Sequence, residues 1–294
     1  MRKGCHWCTP APVKPALGSR RGRMILLGWS RRWVAPFMIR PETLHLLEPD
    51  WPAPANVRAV ISTRVGGCSK GPYTGANLGD HVADDPAAVV INRELLAQQT
   101  GVLHWPWLRQ VHGVDLLDYS ASELPPGACA DAVSTTQTGL ACAVLTADCL
   151  PLLFCDDQGK QVAAAHAGWR GLAAGVINNT VASFPMAPDS LLVYLGPAIG
   201  PDHFEVGEEV YVACAQLFAR MGASPVWTDN FTPANRTGHF FANLYGLARG
   251  ILTALGVRRI YGGNFCTYAD SERFYSYRRD GVTGRMVTAI WRQA

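Results

Sequence analysis

The sequence predicts a mixed fold of the α/β or α+β class. From Met38 onward, short apolar runs bounded by Gly, Pro and Asp alternate with a few helical patterns. Several of these runs, above all residues 143–156, are apolar on both faces, which is typical of buried central strands. Residues 38–294 contain no internal repeat and no convincing linker, so we expect them to form one domain.

The individual elements follow from local signals. Residues 56–64 predict a strand, and residues 85–101 predict a helix, because Asp85 suits the N-cap, Pro86 the first helical position and Gly101 the residue past the end. Short apolar runs that end at Gly, Pro or Asp turns predict strands, and longer periodic stretches predict helices. The remaining strands are expected at 140–156, 161–168, 190–200, 259–268 and 285–291 with a strand pair over 105–119, and the remaining helices at 169–184, 205–222 and 242–257.

Charge is distributed unevenly along the chain. Residues 1–37 hold eight Lys or Arg and no acid, which predicts a disordered extension or a misassigned upstream start, with Met38 as the natural beginning. A transit peptide is the alternative. The rest of the chain has 18 Lys or Arg against 23 Asp or Glu, a net charge of −5. This body gives no electrostatic basis for nucleic-acid binding.

The cysteine content indicates the compartment. Nine cysteines without an even spacing favour a reducing environment over a disulfide framework, so we expect a cytoplasmic protein. The apolar stretch MILLGW is only six residues long, too short for a membrane-spanning helix, and we expect no membrane anchor. We expect a monomer or a weak dimer.

Three side chains with nitrogen or sulfur donors lie at or near predicted strand ends: His112 in RQVHG, Cys149 in TADCLP and His166 in AAAHAGWRG. Two imidazoles and a thiolate suit Zn²⁺, and three protein ligands with an open fourth position are the arrangement of a catalytic zinc. The spacings of 37 and 17 residues match no short zinc signature. The alternative is two hydrogen-bonded core histidines and a buried thiol.

Asp148 precedes Cys149 in an otherwise apolar stretch, where an unpaired carboxylate is costly to bury. We expect Asp148 either to face a pocket beside Cys149 or to be held by a neighbouring donor. A second hypothesis makes Cys149 a nucleophile with His112 or His166 as its base. The metal and nucleophile hypotheses both need the same three side chains to converge.

Arginines accompany glycine turns at three places and are candidates for an anion site. The stretch HAGWRGLAAG predicts a strand, a tight turn and a helix, which places Arg170 and backbone N–H groups near a helix N-terminus. Arg64 in STRVGG and Arg278 in YSYRRDG lie beside further glycines. For the first stretch, a plain strand-to-helix turn with glycines for packing is the alternative.

Together these motifs resemble the YfiH family, whose members are also known as laccase-domain proteins, polyphenol oxidases or peptidoglycan editing factors. The resemblance covers roughly residues 50–292 through TRVGGCSKGPY, NLGDHVADDP, RQVHGVD, ADAVSTTQTGL, TADCLPLL, AAAHAGWRG, GPAIGPDHFEVGEEV and CTYADSERFYSYRRDGVTGR. It implies a mixed-sheet α/β sandwich with flanking helices and a site in a cleft. By motif, the family's metal-binding His, Cys and His correspond to His112, Cys149 and His166.

The resemblance also implies purine nucleoside metabolism: phosphorolysis of adenosine, inosine and methylthioadenosine, and hydrolytic deamination of adenosine. We therefore expect a nucleoside and phosphate as the small-molecule partners, and zinc, with copper as an alternative, as the metal. Asp148 is the candidate proton carrier. The candidate substrate- and phosphate-binding residues are Arg64, Asn77, Arg170 and Arg278.

Other functions use the same residues. A peptidoglycan-precursor editing hydrolase is the main alternative, and a copper-dependent polyphenol oxidase is a lesser one, because eight histidines without a His-X-His pair build at most one copper site of this kind. A metal-binding protein without catalysis would show a fourth protein ligand, for which Cys142 and Cys155 are candidates. One departure from the family is Asn243, where an Asp is common.

Overall fold

The computed structural model describes residues 42–120, 127–222 and 225–293. The predicted N-terminal extension, residues 1–37, lies outside these ranges. The strands within them are β1 (Leu46–Leu47), β2 (Val57–Ser62), β3 (Leu116–Asp118), β4 (Ala132–Thr135), β5 (Cys142–Thr146), β6 (Leu150–Asp156), β7 (Val162–Ala167), β8 (Leu191–Leu195), β9 (Glu205–Gly207), β10 (Phe231–Pro233), β11 (His239–Ala242), β12 (Arg259–Gly262) and β13 (Met286–Arg292). The helices are α1 (Pro86–Thr100), α2 (Trp169–Ala174), α3 (Val176–Ala182), α4 (Glu208–Arg220), α5 (Leu244–Ala254) and α6 (Tyr277–Asp280).

The strands of the described residues form three sheets. The largest has the order β12-β8-β6-β7-β4-β3, the second has the order β1-β2-β13-β5, and a small sheet has the order β10-β11-β9. Pairing is mixed in the largest sheet, because β12 is parallel to β8 and β3 is parallel to β4, whereas β6 is antiparallel to both of its neighbours.

The two larger sheets pack face to face, and the alternation of side chains along β6 shows how. Leu153 and Cys155 belong to a core cluster that includes Val144 and Ile290 of the four-stranded sheet. Phe154 points the other way, into the cluster formed with the helices. Successive residues of a strand face opposite sides, so β6 is apolar throughout because both of its faces are covered.

Helices cover the outer faces of both sheets. Leu96 of α1 packs with Leu145 and Val287 on the outside of the four-stranded sheet. The helices α2 to α5 contribute to the cluster on the outside of the six-stranded sheet. The arrangement is helix, sheet, sheet, helices. The predicted fold class, a mixed-sheet sandwich with flanking helices, is confirmed.

The prediction of one buried strand over residues 140–156 is wrong in one respect. The segment forms two strands in two different sheets, since β5 pairs with β13 and β6 pairs with β7 and β8. The chain passes from one sheet to the other within residues 147–149, where Asp148 has the left-handed backbone angle φ = 92°. No Gly or Pro marks this crossing, so the apolar pattern continues across it.

Further boundaries differ from the predictions, and the strands predicted over 190–200 and 259–268 end earlier, at Leu195 and Gly262. The predicted helix 169–184 is two helices, because Gly175 adopts φ = 110° between α2 and α3. Residues 205–207 form β9 instead of the first turn of α4. Only Leu116–Asp118 of the predicted strand pair 105–119 is a strand. The remainder is irregular and carries His112.

The helix α1 has the predicted ends. The carboxylate of Asp85 accepts a hydrogen bond from the backbone N–H of Ala87, and Pro86 is the first helical residue. Gly101 takes φ = 70°, and its N–H donates to the carbonyl of Ala97, which closes the helix. These signals are local in sequence, which explains why they could be identified without the structure.

Candidate metal centre and active site

The structure brings the three predicted ligands together. His112 lies on the irregular segment before β3, Cys149 lies between β5 and β6, and His166 is on β7. Their ligand atoms all lie within 4.8 Å of one another, and Cys149 Sγ is 3.7 Å from His112 Nε2. His112 is exposed, Cys149 is half-buried and His166 is buried. The cluster is therefore anchored on a strand and open to solvent on the His112 side.

Asp131, which sequence analysis did not select, connects two of these ligands. Its fully buried carboxylate accepts His166 Nδ1–H at 2.8 Å and the backbone N–H of His112 at 2.9 Å. It also accepts the backbone N–H groups of Val111 and Gly113, at 3.1 and 2.6 Å. One carboxylate thus fixes the loop that carries His112 and the ring of His166.

Strand pairing explains why Asp131 and His166 meet. Asp131 immediately precedes β4, and the next residue, Ala132, pairs with Ala165 on β7. The hydrogen bond to Asp131 leaves His166 Nε2 free to face the cluster, and the rings of His112 and His166 pack edge to face with centroids 4.8 Å apart. A carboxylate behind a ligating histidine sets its tautomer and orientation.

Two residues of the centre have left-handed backbone conformations. His112 has φ = 57° and Asp148 has φ = 92°. Residues other than glycine adopt such angles at a cost of about 1–3 kcal/mol each, and they persist where the surroundings over-determine them. For His112, the hydrogen bonds from its loop to Asp131 hold the backbone in this conformation.

The charges of the cluster are coupled. Burial would raise the pKa of Cys149, but the neighbouring His166 and His112 lower it to about 6. Burial would lower the pKa of His166, but Cys149 and Asp131 raise it to about 9. Burial alone would raise the pKa of Asp131, and the hydrogen bonds from His166 and the loop N–H groups hold it below its ordinary value. The site favours a thiolate, the form that binds metals and attacks electrophiles.

Two glycines of HAGWRG allow this close approach. A Cβ on Gly168 would lie 2.7 Å from His112 Cδ2 and 3.0 Å from Cys149 Sγ. A Cβ on Gly171 would lie 2.8 Å from the carbonyl oxygen of Gly113. Both contacts are shorter than a side chain tolerates, so these glycines pack the start of α2 directly against the cluster.

One donor pair of the cluster has the spacing expected around a tetrahedral metal ion, while the widest separation in the cluster is up to 4.8 Å. With Zn–S near 2.3 Å and Zn–N near 2.0–2.1 Å, neighbouring sulfur and nitrogen ligands of a tetrahedral zinc lie about 3.6 Å apart. The observed separation of Cys149 Sγ and His112 Nε2 is 3.7 Å. Among the described residues this is the group of three or more His, Cys, Asp and Glu side chains that could hold a metal. The three side chains could hold a metal ion, and their donor types suit both zinc and copper.

Asp148 is held by neighbouring donors, one of the two expectations from the sequence. One carboxylate oxygen accepts the hydroxyl of Thr267 at 2.6 Å, and the other accepts the backbone N–H of Arg278 at 2.7 Å. Its own carbonyl accepts the N–H of Ile199 at 3.0 Å. Asp148 therefore ties the crossing between the two sheets to two distant loops, immediately beside Cys149.

Arg170 and Arg64, two of the predicted anion-binding arginines, lie in surroundings that differ from each other. Arg170 is exposed, and its guanidinium lies over the ring of Trp169, 4.3 Å from the centroid. It is two residues from Gly168, which packs against the cluster. Arg64 donates to the carbonyl of Ser271 at 3.2 Å and lies over the ring of Tyr275, 4.9 Å from the centroid.

The side chains of Arg278 and Asn77 already form hydrogen bonds within the protein. Arg278 donates to the carbonyl of Glu205 at 2.8 Å, in addition to its backbone bond to Asp148. Asn77 is fully buried, and its amide oxygen accepts the N–H of Arg285 at 2.8 Å while its amide nitrogen donates to Asp84 at 2.9 Å. The structure places Asn77 as an organiser of the loop that carries Arg285.

Arg285 is a second residue that sequence analysis did not select. Burial lowers the pKa of its guanidinium, while the nearby groups of Cys149 and Asp148 act in the opposite direction. Arg285 in turn lowers the pKa of His81, after the larger effect of burial. The sequence did not indicate a role for Arg285 in the GVTGR stretch. The groups that act on its pKa, Cys149 and Asp148, lie more than 130 residues away in the sequence.

An open cleft of about 830 Å³ adjoins this region. It is lined by Gln110, two residues before His112, by His81 and by the stacked rings of Trp105 and Trp107, whose centroids are 5.6 Å apart. Its volume is in the range of small-molecule sites. The lining combines aromatic rings with charged side chains such as Arg93 and Arg109, which suits a ligand with a flat ring and a polar end.

Other residues singled out from the sequence have structural positions. Cys142 and Cys155 lie in the core between the two sheets, outside the ligand cluster, and burial raises the pKa of Cys155 to about 12. Neither is a fourth ligand. Asn243 caps helix α5 by accepting the backbone N–H of Gly246 at 3.0 Å. Asn and Asp are similarly good N-caps, so the departure from the family keeps the cap.

The chain is similar to a family of known proteins. A family model described as multi-copper polyphenol oxidoreductase laccase matches residues 58–293. A purine nucleoside phosphorylase of Pseudomonas aeruginosa is 50% identical over 247 residues, which cover 84% of this chain and 98% of that protein. The purine nucleoside phosphorylase YfiH of Escherichia coli is 46% identical with the same coverage. This chain belongs to the YfiH family.

Solved structures agree with the family assignment. A Neisseria meningitidis protein of 48% identity superposes with a TM-score of 0.79, covering 85% of this chain and 99% of its own. YlmD of Geobacillus stearothermophilus, 32% identical, superposes with a TM-score of 0.77 and covers 86% of this chain and 100% of its own. In the described part of the chain, every helix is too short or too polar to cross a membrane. The cytoplasmic location stays a prediction.

Proposed function

We propose that this protein is a metal-dependent purine nucleoside phosphorylase that acts on adenosine, inosine and methylthioadenosine and also deaminates adenosine. The observation that carries the proposal is the open cluster of His112, Cys149 and His166. Relatives with 50% and 46% identity to this chain are named purine nucleoside phosphorylases. Phosphorolysis needs an anion site for phosphate and a proton or hydrogen bond for the departing purine.

The proposed metal ligands are Cys149 Sγ and the Nε2 atoms of His112 and His166. When bound there, zinc supplies a Lewis acid that polarises a phosphate oxygen or a water molecule. Copper is the alternative occupant, because sites with nitrogen and sulfur donors generally bind it more tightly than zinc. Asp131 keeps His166 in the ligating tautomer through the bond to Nδ1.

The nucleoside and phosphate are proposed to bind on two sides of the cluster. Arg170 is the first candidate for phosphate, because its guanidinium is exposed beside the glycine turn that touches the cluster. Arg285 adds a half-buried positive charge on the Cys149 side. Arg64 and Arg278 are further candidates that already donate to protein carbonyls. The purine is proposed to stack in the cleft lined by tryptophans.

In this proposal, Asp148 both fixes the chain beside Cys149 and serves as the candidate proton carrier. Each of its carboxylate oxygens accepts one hydrogen bond from the protein, from Thr267 and from Arg278, and keeps a second lone pair that can carry a proton to the purine. Deamination in the same pocket converts adenosine and water to inosine and ammonia. It needs a water molecule as the nucleophile and a proton carrier for the departing ammonia.

The test is an assay of purified protein with adenosine, inosine or methylthioadenosine, with and without phosphate. Base and sugar phosphate are followed by chromatography, and ammonia is followed for deamination. We expect phosphate-dependent base release that falls at least about 100-fold in Cys149→Ala and His166→Ala, together with bound metal. Cys129→Ala is the matched control, because Cys129 is an exposed free thiol outside the cluster. Normal activity and metal content in His166→Ala would overturn the proposal.

One observation favours a second candidate, an editing hydrolase acting on a cell-wall precursor. Cys149 Sγ lies 3.7 Å from His112 Nε2, and the pKa of this thiol is lowered to about 6, as for a cysteine nucleophile. This candidate predicts altered stem peptides in muropeptides from a deletion strain, measured by mass spectrometry. It also predicts that the defect is restored by the wild-type gene and not by Cys149→Ala. Normal stem peptides would remove this candidate.

A further inference from the structure

A second thiol–imidazole pair lies outside the candidate metal centre. Cys266 follows β12, and its Sγ is 3.6 Å from Nδ1 of His203, which lies in the turn after Gly200. Both residues are partly exposed. Neither belongs to the group of candidate metal ligands among the described residues, and only two donors are present here. The pair therefore differs from a metal site in its donor count.

The sulfur of Cys266 is also the acceptor of two backbone N–H groups. Gly200 donates to Sγ at 3.2 Å and Ala269 donates at 3.4 Å. The close approach depends on Gly200, because a Cβ there would lie 3.0 Å from Sγ. Two N–H groups directed at one sulfur stabilise negative charge as it develops on that atom.

The imidazole is oriented, and the sulfur is accessible. The ring of His203 stacks on Tyr268, with centroids 4.5 Å apart and planes 25° apart. An open cleft of about 630 Å³ is lined by Cys266 together with Phe265, Ala269 and Arg273. A thiol with an adjacent base, two N–H donors and an open approach has the parts of an activated nucleophile.

We propose that Cys266 is a modification site for hydroperoxides, with His203 as its base. The sulfur attacks the terminal oxygen of the hydroperoxide, an S–O bond forms and the O–O bond breaks. His203 takes the thiol proton and delivers it to the departing alkoxide, so the products are a sulfenic acid and an alcohol, or water when the probe is hydrogen peroxide. The cysteine is oxidised by two electrons and the peroxide is reduced by two.

The position of the pair links this modification to the candidate active site. Thr267, the residue after Cys266, donates its hydroxyl to Asp148, and Ile199, the residue before Gly200, donates its N–H to the carbonyl of Asp148. The N–H of Gly200 donates to Sγ of Cys266 at 3.2 Å, so oxidation of this sulfur changes the acceptor that joins the two loops. Both of these loops hold Asp148 beside Cys149.

The experiment treats the full-length, metal-loaded protein with hydrogen peroxide in the presence of dimedone, which traps sulfenic acids. Peptide mass spectrometry then measures the rate of adduct formation at each cysteine. We expect Cys266 to react at least about tenfold faster than the exposed thiol of Cys129. Equal rates at the two cysteines would overturn the proposal.

A variant separates a base from a merely structural imidazole. His203→Ala should bring the rate at Cys266 down to that at Cys129, and added imidazole should restore most of the lost rate. An unchanged rate in His203→Ala, or a lower rate that imidazole does not restore, would contradict the role of His203. Because the adduct is read on the peptide, the result does not depend on any nucleoside activity.

Discussion

His166 and His112 face the same thiol, but the chain holds them in different ways. His166 is buried on a central strand, and the adjacent strand places Asp131 against its Nδ1. His112 is exposed on an irregular segment with φ = 57°. What they share is Asp131, which accepts hydrogen bonds from the ring of one and the backbone of the other. The contrast shows that one buried carboxylate sets the geometry of both histidines.

The largest effect is expected from removing that shared carboxylate. Asp131→Ala leaves three backbone N–H groups and His166 Nδ1–H unpaired, which we expect to lower the free energy of unfolding by about 3–5 kcal/mol. Metal affinity should fall by about 10–100-fold, because both histidines lose their orientation. Urea unfolding and a metal titration measure the two effects.

Asp156→Ala is the matched control for that prediction. Asp156 is also buried, and it accepts the backbone N–H groups of Gln158 and Gln161 at 2.9 and 2.7 Å, between β6 and β7. We expect it to destabilise the fold by about 1–3 kcal/mol and to leave metal affinity unchanged. If both variants lost metal equally, Asp131 would have no special role in holding the ligands.

Replacing each histidine separately sharpens the contrast. His112→Asn should change the free energy of unfolding by less than about 0.5 kcal/mol, because Asn tolerates the left-handed conformation and the side chain is exposed. His166→Asn should cost about 1–3 kcal/mol more, because it leaves a buried carboxylate with a poorer partner. Both should lose metal binding by calorimetry. Equal losses of stability would show that burial and Asp131 do not distinguish the two ligands.

The sequence predicted the parts of this site whose signals are local. The central strands and the ends of α1 follow from apolar runs and from caps within a few residues, and the structure has them. The three ligands were identified as residue types, and their convergence needed the resemblance to a family, because spacings of 37 and 17 residues match no short zinc signature. Asp131 was missed because its role depends on a loop 18 to 20 residues earlier and on a strand 35 residues later.

The crossing at residues 147–149 was missed for a related reason. An apolar run that fills the interior of two sheets looks the same as one that fills a single sheet. What interrupts it is the backbone conformation of Asp148, which Thr267 and Arg278 stabilise from positions more than 110 residues away. Such conformations depend on tertiary contacts. In the sequence, the only indication of this one was the polar pair Asp148 and Cys149 within an apolar run.

A smaller effect is expected from the glycine that contacts both sides of the cluster. Gly168→Ala places a Cβ 2.7 Å from His112 Cδ2 and 3.0 Å from Cys149 Sγ, so the exposed side chain of His112 must move. We expect a loss of about 1–3 kcal/mol in unfolding free energy and weaker metal binding. Gly250→Ala is the control, because its Cβ would meet Phe218 at an ordinary 3.4 Å within helix α5. Unaltered metal affinity in Gly168→Ala would contradict the close packing of this turn on the cluster.

The smallest effect is expected where the cluster is held indirectly. Thr267→Val keeps the shape of the side chain and removes the hydroxyl that donates to Asp148 at 2.6 Å, which should cost about 1–2 kcal/mol of stability. Thr180→Val removes a buried hydroxyl that donates to Val176 at 2.8 Å inside α3, and it should have a similar cost. Only Thr267→Val should lower the proposed phosphorolysis rate, because only this hydroxyl fixes the carboxylate beside Cys149. If the two variants had the same turnover, the hydrogen bond from Thr267 to Asp148 would contribute to stability alone. The arrangement of the cluster would then depend on how Asp131 holds the two histidines.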